Sequence, residues 1–382
     1  MPDAPELIAA APLRTPAGRS LRVLQLIHSN EQGGVEALAA SIAGGLGAHG
    51  IPIETHFLYP KFAIGRWTKV RGILGGVAEI MWRRPDVLMA YQSTASVLVG
   101  IVGRICQIPT RIVHQTSVPG EVDPLVRALD KWIGARGFYT ANIANSHATE
   151  AAFKAYPDRY KAGLRLIEHG LKPPQPRAPR AATLARFCVP ADGPVLLNAG
   201  RLSDQKAQDI VIRALAKLPG MRLVVAGGGP NKAAYEEAAL DAGVRDRVHF
   251  LGYVSRDDVA DLMGAADAFV FPSRWETFGL APVEAAMTGV PVIASDLAVL
   301  REVLGVEPGH AGATFVAGED AGAWAHAIGA VVSDPASRTE ATRSAPLLRA
   351  KYGEARMLEA YVRLIEQSSS AAQAASRAPP DA

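Results

Sequence analysis

Apolar runs of strand length alternate with helical segments along almost the whole chain, and one proline-rich stretch cuts that alternation in two. In the first half the runs are LRVLQLI (21–27), IPIETHFL (51–58), DVLMAYQ (86–92), TRIVHQTS (110–117), ANIANSHAT (141–149) and LRLIEHG (164–170). In the second half they are PVLLNAG (194–200), RLVVAGGGP (222–230), VHFLGYV (248–254), DAFVF (267–271), VPVIA (290–294) and AGATFV (311–316). Short runs that stay apolar throughout, spaced by helix-length segments, predict parallel strands buried on both faces. KPPQPRAPRAA (172–182) carries four prolines and marks the junction. The fold class is therefore α/β, with two doubly wound, Rossmann-like parallel domains.

Composition narrows the function classes. At 382 residues two domains of ordinary size fit, and 49% hydrophobic with 20% charged residues suits a globular protein with a large core. A net charge of +3 is too small to argue for nucleic acid as a partner, and no basic motif of the nucleic-acid-binding kind is present. Cys106 and Cys188 are too few for a disulfide framework and lack a CxxC or Cys/His neighbourhood. They read as buried bystanders in a reducing cytoplasm. No run of 18 apolar residues is present to span a membrane. The first 19 residues read as a flexible leader, since acids stand where a signal peptide is cationic and prolines break the apolar run. The low-complexity tail from Ser368 reads as disordered.

The stretch FPSRWETFGLAPVEAAMTGVPVIAS (271–295) carries the most chemistry. Pro282 suits a first helical position, and Gly289 stops the helix. Glu276 lies in the loop and Glu284 in the first helical turn, with the backbone N–H groups of Phe278, Gly279, Leu280 and Ala281 between them. A helix N-terminus carries roughly half a positive charge and binds anions. Amides flanked by carboxylates suit a ligand that is anionic in the middle and bears hydroxyls at both ends, as a nucleotide diphosphate sugar does. Glu284 would then accept from a ribose diol, leaving Glu276 to face the sugar. On these residues alone two solvated glutamates near a helix start remain an open alternative.

Other turns carry weaker signals. Arg201 and Lys206, five apart in GRLSDQKAQD, can both reach one diphosphate, with Lys206 opening a helix to Leu218 capped by Ser203 or Asp204. A solvated basic pair is the alternative. Gly33 and Gly34 follow the first strand, a turn that lets phosphate approach backbone. Neither Gly-rich turn has the GxGxxG spacing of a nicotinamide dinucleotide site. His114 ends a strand, where open α/β sheets bind ligands, although a satisfied structural histidine is equally open. Residues 61–84 place Trp67, Val70, Ile73, Leu74, Val77, Ile80 and Met81 at helical spacing among six basic residues. They read either as a layer helix with a solvated basic side or as a helix lying on an anionic membrane face.

Glu276, seven residues, then Glu284, with Phe-Gly-Leu after the first and Glu-Ala-Ala at the second, resembles the signature of the family-4 retaining glycosyltransferases (glycosyl transferases group 1). Gly200-Arg201-Leu202 with Lys206 resembles a second element of that family, and Gly33, Gly34 and Glu36 a third. The resemblance implies the GT-B fold, with two domains facing a central cleft. Residues 20–172 would form the acceptor-side domain, 173–190 a linker and 191–352 the nucleotide-sugar domain. A crossover helix, 353–367, would return to the first domain, before a disordered tail, 368–382.

The resemblance also implies roles. Glu276 and His114 would be catalytic, and Arg201, Lys206, Gly33, Gly34, Gly279 and Leu280 would hold the donor diphosphate. Glu284 would hold the ribose, and Tyr253 and Val254 the base. His169 and Ala207 depart from the family's usual Asn and Gly. No Asp-x-Asp triplet or metal-ligand spacing occurs, so no metal or other cofactor is expected. The implied function is retaining sugar transfer from a nucleotide diphosphate sugar to a glycan or lipid-linked saccharide in cell-surface polysaccharide synthesis. The setting would be the cytoplasm, with peripheral membrane contact through 61–84. A soluble small-molecule acceptor, or a non-catalytic sugar-nucleotide-binding partner subunit, is the alternative.

Overall fold

The computed structural model describes residues 19–29, 33–60, 65–307 and 310–377. Contacts divide the chain into two compact units. One runs to Glu168 and takes in the chain from Ala355 onward, and the other is His169–Glu354.

The first unit alternates strand and helix. Its elements are β1 (Val23–Ser29), α1 (Gly34–Ala48), β2 (Ile53–Tyr59), α2 (Arg66–Arg83), β3 (Val87–Tyr91), α3 (Ser93–Ile105) and β4 (Thr110–His114). They continue with α4 (Pro124–Ala135), β5 (Ala141–Ala144), α5 (His147–Ala152), α6 (Asp158–Ala162) and β6 (Leu164–Leu166). The strands form a parallel sheet in the order β2-β1-β3-β4-β5-β6. Because both faces are covered, β3, β4 and β5 are buried at every position, which is why they lack polar alternation. Ile42 and Leu46 of α1 cover one face and Ile80, Leu98 and Val99 the other.

The second unit comprises α7 (Arg180–Arg186), β7 (Val195–Ala199), α8 (Gln208–Leu215), β8 (Arg222–Ala226), α9 (Lys232–Asp241), β9 (Val248–Gly252) and α10 (Arg256–Ala265). It continues through β10 (Ala268–Phe271), α11 (Leu280–Thr288), β11 (Val292–Ser295) and α12 (Ala298–Leu304). A small antiparallel pair, β12 (Gly305–Glu307) with β13 (His310–Ala311), precedes β14 (Thr314–Val316), α13 (Ala321–Ser333) and α14 (Pro335–Lys351). Its sheet is parallel, in the order β14-β11-β10-β7-β8-β9. Trp324 and Ile328 of α13 and Ile212 and Leu215 of α8 are buried in one core with Val225 and Val270.

Five expectations need correction. The proline-rich segment read as a linker over 173–190 contains α7 and is bound to the second unit. Asp261 accepts from the backbone N–H of Arg177 (2.6 Å) and Ala178 (3.1 Å), and Arg180 pairs with Asp267 (2.9 Å). The final helix, α15 (Glu354–Arg377), runs ten residues past Gln367 through the tail read as disordered. Its alanines and serines cost a helix little, and Tyr361 and Ile365 anchor the preceding turns in the first unit's core. The helix after β7 starts at Gln208 rather than Lys206, because Ala207 adopts a left-handed φ of 49° that ends the turn. The helix of the 271–295 stretch starts at Leu280, two residues before Pro282. Pro282 then stands at the third helical position, still within the first turn, where N–H groups have no intrahelical acceptor. The expected leader up to residue 18, Lys61 and residues 378–382 lie outside the described residues. Cys188 is exposed and Cys106 half-buried, so neither is the buried bystander expected.

Candidate active site

The turns after β7 and β10 are joined by their own polar groups. Arg274 N–H donates to the Gln205 carbonyl (2.8 Å), and Gln205 Nε2 donates to the Trp275 carbonyl (3.0 Å). The Arg274 guanidinium donates to the Asp204 carbonyl (2.6 Å) and grips Glu319 through two bonds of 2.8 Å. Within this frame Lys206 Nζ donates to Glu276 Oε1, and the ammonium stands 4.8 Å from the centroid of the Phe271 ring. Both charged side chains are largely shielded, so their attraction is weakly screened. Arg201 lies exposed on the β7 turn, and its carbonyl accepts from buried Gln208 (3.1 Å). Gln208 also donates to Asn198 (3.2 Å), which donates to the Val270 carbonyl (2.8 Å), so the turn is tied to the strand beside it.

Gly279 caps α11 with φ 83°, a conformation that glycine adopts without strain. It turns the chain so that the first-turn amides, Leu280 and Ala281 among them, present at the helix start. Glu284 follows in the next turn. Arg256, the first residue of α10, donates to its Oε1 at 3.1 Å. Burial pushes the Glu284 carboxyl above the usual carboxylate range, and Arg256 only partly opposes this.

The ends of β7, β8 and β9 meet backbone to backbone. A Cβ on Gly227 would stand 2.1 Å from the Gly200 oxygen, and Gly227 N–H donates to the Gly252 carbonyl (2.8 Å). The exposed Tyr253 ring lies over Gly228, where a Cβ would stand 2.5 Å from it. Tyr253 and Val254 therefore border the same corner as Gly227 and Gly228.

His114 sits in a different environment from these turn residues. Its side chain is only 4% exposed within the first unit. Nδ1 lies 2.7 Å from the Ala90 carbonyl and Nε2 lies 2.9 Å from the Tyr361 hydroxyl, while the ring stacks on Tyr91 at 4.2 Å. Burial lowers its pKa to about 4, so the ring is neutral near pH 7. A neutral imidazole has one donor and one acceptor, and both are used. His114 is a core histidine that ties β3, β4 and α15. At the turn after β1, Gly34 opens α1 and Gly33 caps it. The Glu36 carboxylate folds back on Gly33, where a Cβ would stand 2.5 Å from Oε2.

The structure thus gathers Lys206 with Glu276 in one cluster and brings Arg256 to Glu284. Arg256, Arg274 and Gln205 were not singled out from sequence. The capping box of Ser255 and Asp258 fixes α10 and hence Arg256 at its start, a local signal that could have drawn notice. Arg274 and Gln205 gave no such signal, since their partners lie 45 to 70 residues away. Among the described residues no three His, Cys, Asp or Glu side chains gather as metal ligands would.

Comparison with known proteins places this arrangement. Residues 185–347 match the family of glycosyl transferases group 1. A D-inositol 3-phosphate glycosyltransferase of Mycobacterium avium is 35% identical over 271 residues, covering 69% of this chain and 59% of that protein. One from Mycobacterium tuberculosis is 39% identical over 290 residues, covering 72% of this chain and 56% of that protein. The chain spans less than two thirds of the length of these curated relatives. Two solved structures share the fold. Anabaena HepE in complex with UDP and glucose superposes with a TM-score of 0.77 at 22% identity, over 91% of this chain and 99% of that one. Sucrose-phosphate synthase of Thermosynechococcus elongatus gives 0.76 at 23%, over 92% and 100%. Matched in sequence across the unit that carries these turns, and in fold across both units, the chain belongs to the group 1 glycosyltransferases with the GT-B fold.

Proposed function

We propose that this protein is a retaining, metal-independent glycosyltransferase that moves a sugar from a nucleotide diphosphate sugar to an acceptor hydroxyl. The observation that carries this reading is the Lys206–Glu276 pair beside the Gly279 helix start, with Glu284 in the next turn. It supplies a cation and amides for a diphosphate, and carboxylates for hydroxyls on either side of it. In the proposed reaction the bond between the sugar's anomeric carbon and the β-phosphate oxygen breaks, and the acceptor oxygen bonds to that carbon on the same face. The acceptor proton passes to the departing phosphate oxygen. Arg201, Lys206 and the Gly279 and Leu280 amides would meet the developing charge, the kind of preorganised stabilisation worth roughly 3 kcal/mol per donor. Glu276 would orient the sugar hydroxyls, Glu284 the ribose, and the Tyr253–Val254 corner the base. Gly33 and Gly34 would let the donor approach the β1 turn. The UDP and glucose bound by Anabaena HepE make UDP-glucose the first donor to try.

For the acceptor we favour a glycan or lipid-linked saccharide at the cytoplasmic membrane face, the class that the family resemblance implies. Among the described residues no helix is long and apolar enough to cross a membrane. The names of the mycobacterial relatives favour a second reading, a soluble phosphorylated polyol. The test is transfer of labelled sugar in the presence of EDTA, with products split between organic and aqueous phases. Label in the organic phase supports the lipid-linked acceptor, and label only on a soluble phosphorylated polyol supports the second reading. Failure to release nucleotide from any donor tested, in folded protein, would sink both.

A further inference from the structure

Of the apolar side chains at helical spacing in 61–84, Trp67, Val70, Leu74 and Met81 face outward, while Ile73, Val77 and Ile80 pack on the core. Successive residues of an α-helix turn by about 100°, so Trp67, Val70, Leu74, Ala78 and Met81 share one stripe, with Arg71 and Trp82 at its edge. That stripe is exposed: Trp67 82%, Leu74 62%, Met81 57% and Trp82 88%. The helix sits on the sheet through Gly72 and Gly76 together with Ile73, Val77 and Ile80. A Cβ on Gly72 would stand 2.0 Å from the Leu58 oxygen, and one on Gly76 would stand 2.6 Å from the Leu58 side chain. Those glycines let α2 approach closely, with Ile80 completing the inward side. The largest side chains are left to solvent.

The same layer carries a second exposed apolar patch, on α4. Gly76 of α2 meets Leu98 of α3, and Gly100 of α3 meets Ile133 of α4, so the three helices lie side by side. On α4 the exposed residues Leu125, Leu129 and Trp132 again share one side, and the Arg136 guanidinium lies 3.9 Å from the Trp132 ring centroid. Three of the chain's five tryptophans thus stand exposed on this layer. The cations Arg66, Arg71 and Arg84 are exposed near the α2 stripe, Lys69 lies on the other side of the helix towards His28, and the one acid of α2, Glu79, is taken by Arg83.

We infer that the α2–α4 face docks on an anionic phospholipid bilayer, with α2 lying flat in the headgroup region. Trp67 and Trp82, about 22 Å apart along the helix axis, would anchor its two ends at the depth where indole rings are favoured. The basic fringe complements lipid phosphates. A second copy of this chain fits less well, since a two-fold contact would set the basic fringe against itself. The docking rests on the reading above that the acceptor is membrane-linked, but its test reads lipid binding and not transfer.

The test is sedimentation of the full chain with vesicles of phosphatidylcholine alone or mixed with phosphatidylglycerol, with calorimetric nucleotide binding measured in parallel. The expected result is about tenfold or more tighter partitioning onto the mixed vesicles, weakening as salt rises. The triple variant Trp67→Ser, Leu74→Ser, Trp82→Ser should lose about tenfold or more of that partitioning. Being altered only at exposed positions, it should keep its melting temperature and nucleotide affinity. Arg71→Glu with Arg84→Glu should remove the preference for phosphatidylglycerol. Absence of binding to either vesicle overturns the inference, as does unchanged binding by the folded triple variant. A vesicle-free dimer that the triple variant dissolves would also overturn it, and would assign the face to a second copy. Loss of nucleotide binding with vesicle binding intact would count against the proposed function alone.

Discussion

The turn after β10 and the end of β4 both place a polar side chain at the carboxyl end of a parallel strand, and their environments are opposite. Glu276 lies in a loop five residues past the strand and meets Lys206 from a neighbouring turn, on a frame built by Arg274 and Gln205. His114 is still within β4, and its two ring nitrogens face Ala90 and Tyr361 inside the core. A residue inside a central strand of a doubly covered sheet points into one of the two helical layers, so its polar atoms must be satisfied by protein. A residue in the turn beyond is released from that constraint and can be held by other turns.

The sharpest test of this contrast is to remove each group in turn. Lys206→Ala or Glu276→Ala should lower kcat/KM for sugar transfer by about 10²–10³. The double variant should be little worse than either, because the two groups act through one another. Initial rates of the three variants check this, and fully additive losses would break the pairing.

His114→Ala should instead cost about 3 kcal/mol of stability, by leaving a cavity and stranding Tyr361 and the Ala90 carbonyl. At temperatures where it stays folded, its kcat should lie within about threefold of the parent, since no transition-state contact is lost. A kcat loss of about a hundredfold with an unchanged melting temperature would return His114 to the chemistry. The same residue predicts a pH dependence. Its folded pKa lies at about 4 against 6.5 when unfolded, so the unfolded chain binds more protons between those values. The stabilisation is present above pH 6.5 and is lost as pH falls towards 4, worth about 3 kcal/mol at ~1.4 kcal/mol per pH unit. His28, also lowered to about 4 by burial and Lys69, adds a slope of the same sign. Melting temperatures from pH 8 to 4.5 should fall, and His114→Gln should flatten its share of the fall.

Glu284→Ala should weaken nucleotide diphosphate binding by about 10–100-fold, the range for a lost hydrogen bond from a charged group. Because burial raises its pKa, affinity in the parent should begin to fall above the usual glutamate range as pH is lowered. Calorimetry across pH separates this from Glu284→Gln, which should be weak throughout. The smallest effect is expected at Gly279→Ala. A side chain at φ 83° costs about 1–2 kcal/mol and would stand 2.7 Å from Leu300, so stability should drop and donor affinity should follow it.

The fold was legible in outline because apolar runs without alternation can only be strands covered on both faces. The charged turns were legible because Arg201, Lys206, Glu276 and Glu284 each lie where a strand has ended or a helix is starting. The orientation of α2 was not. Apolar residues lie on two sides of α2, and the side with Ile73, Val77 and Ile80 faces the sheet because Gly72 and Gly76 there allow a close approach, while Trp67, Leu74 and Met81 are left outside. The burial of His114 was not legible, because a one-dimensional reading cannot tell the last residue inside a strand from the first beyond it. Its partner Tyr361 lies 247 residues away. Arg256 and Arg274 escaped for a related reason: surface arginines are common, and only folding brings them to Glu284 and to the Asp204 carbonyl.

The most direct measurement is isothermal calorimetry of UDP, ADP and GDP against the parent protein and Lys206→Ala, all in EDTA. The account predicts one-to-one binding of one of the three without metal, weakened about tenfold or more in the variant. Binding that requires a divalent cation, equal binding by both proteins, or no binding by folded parent protein would contradict it.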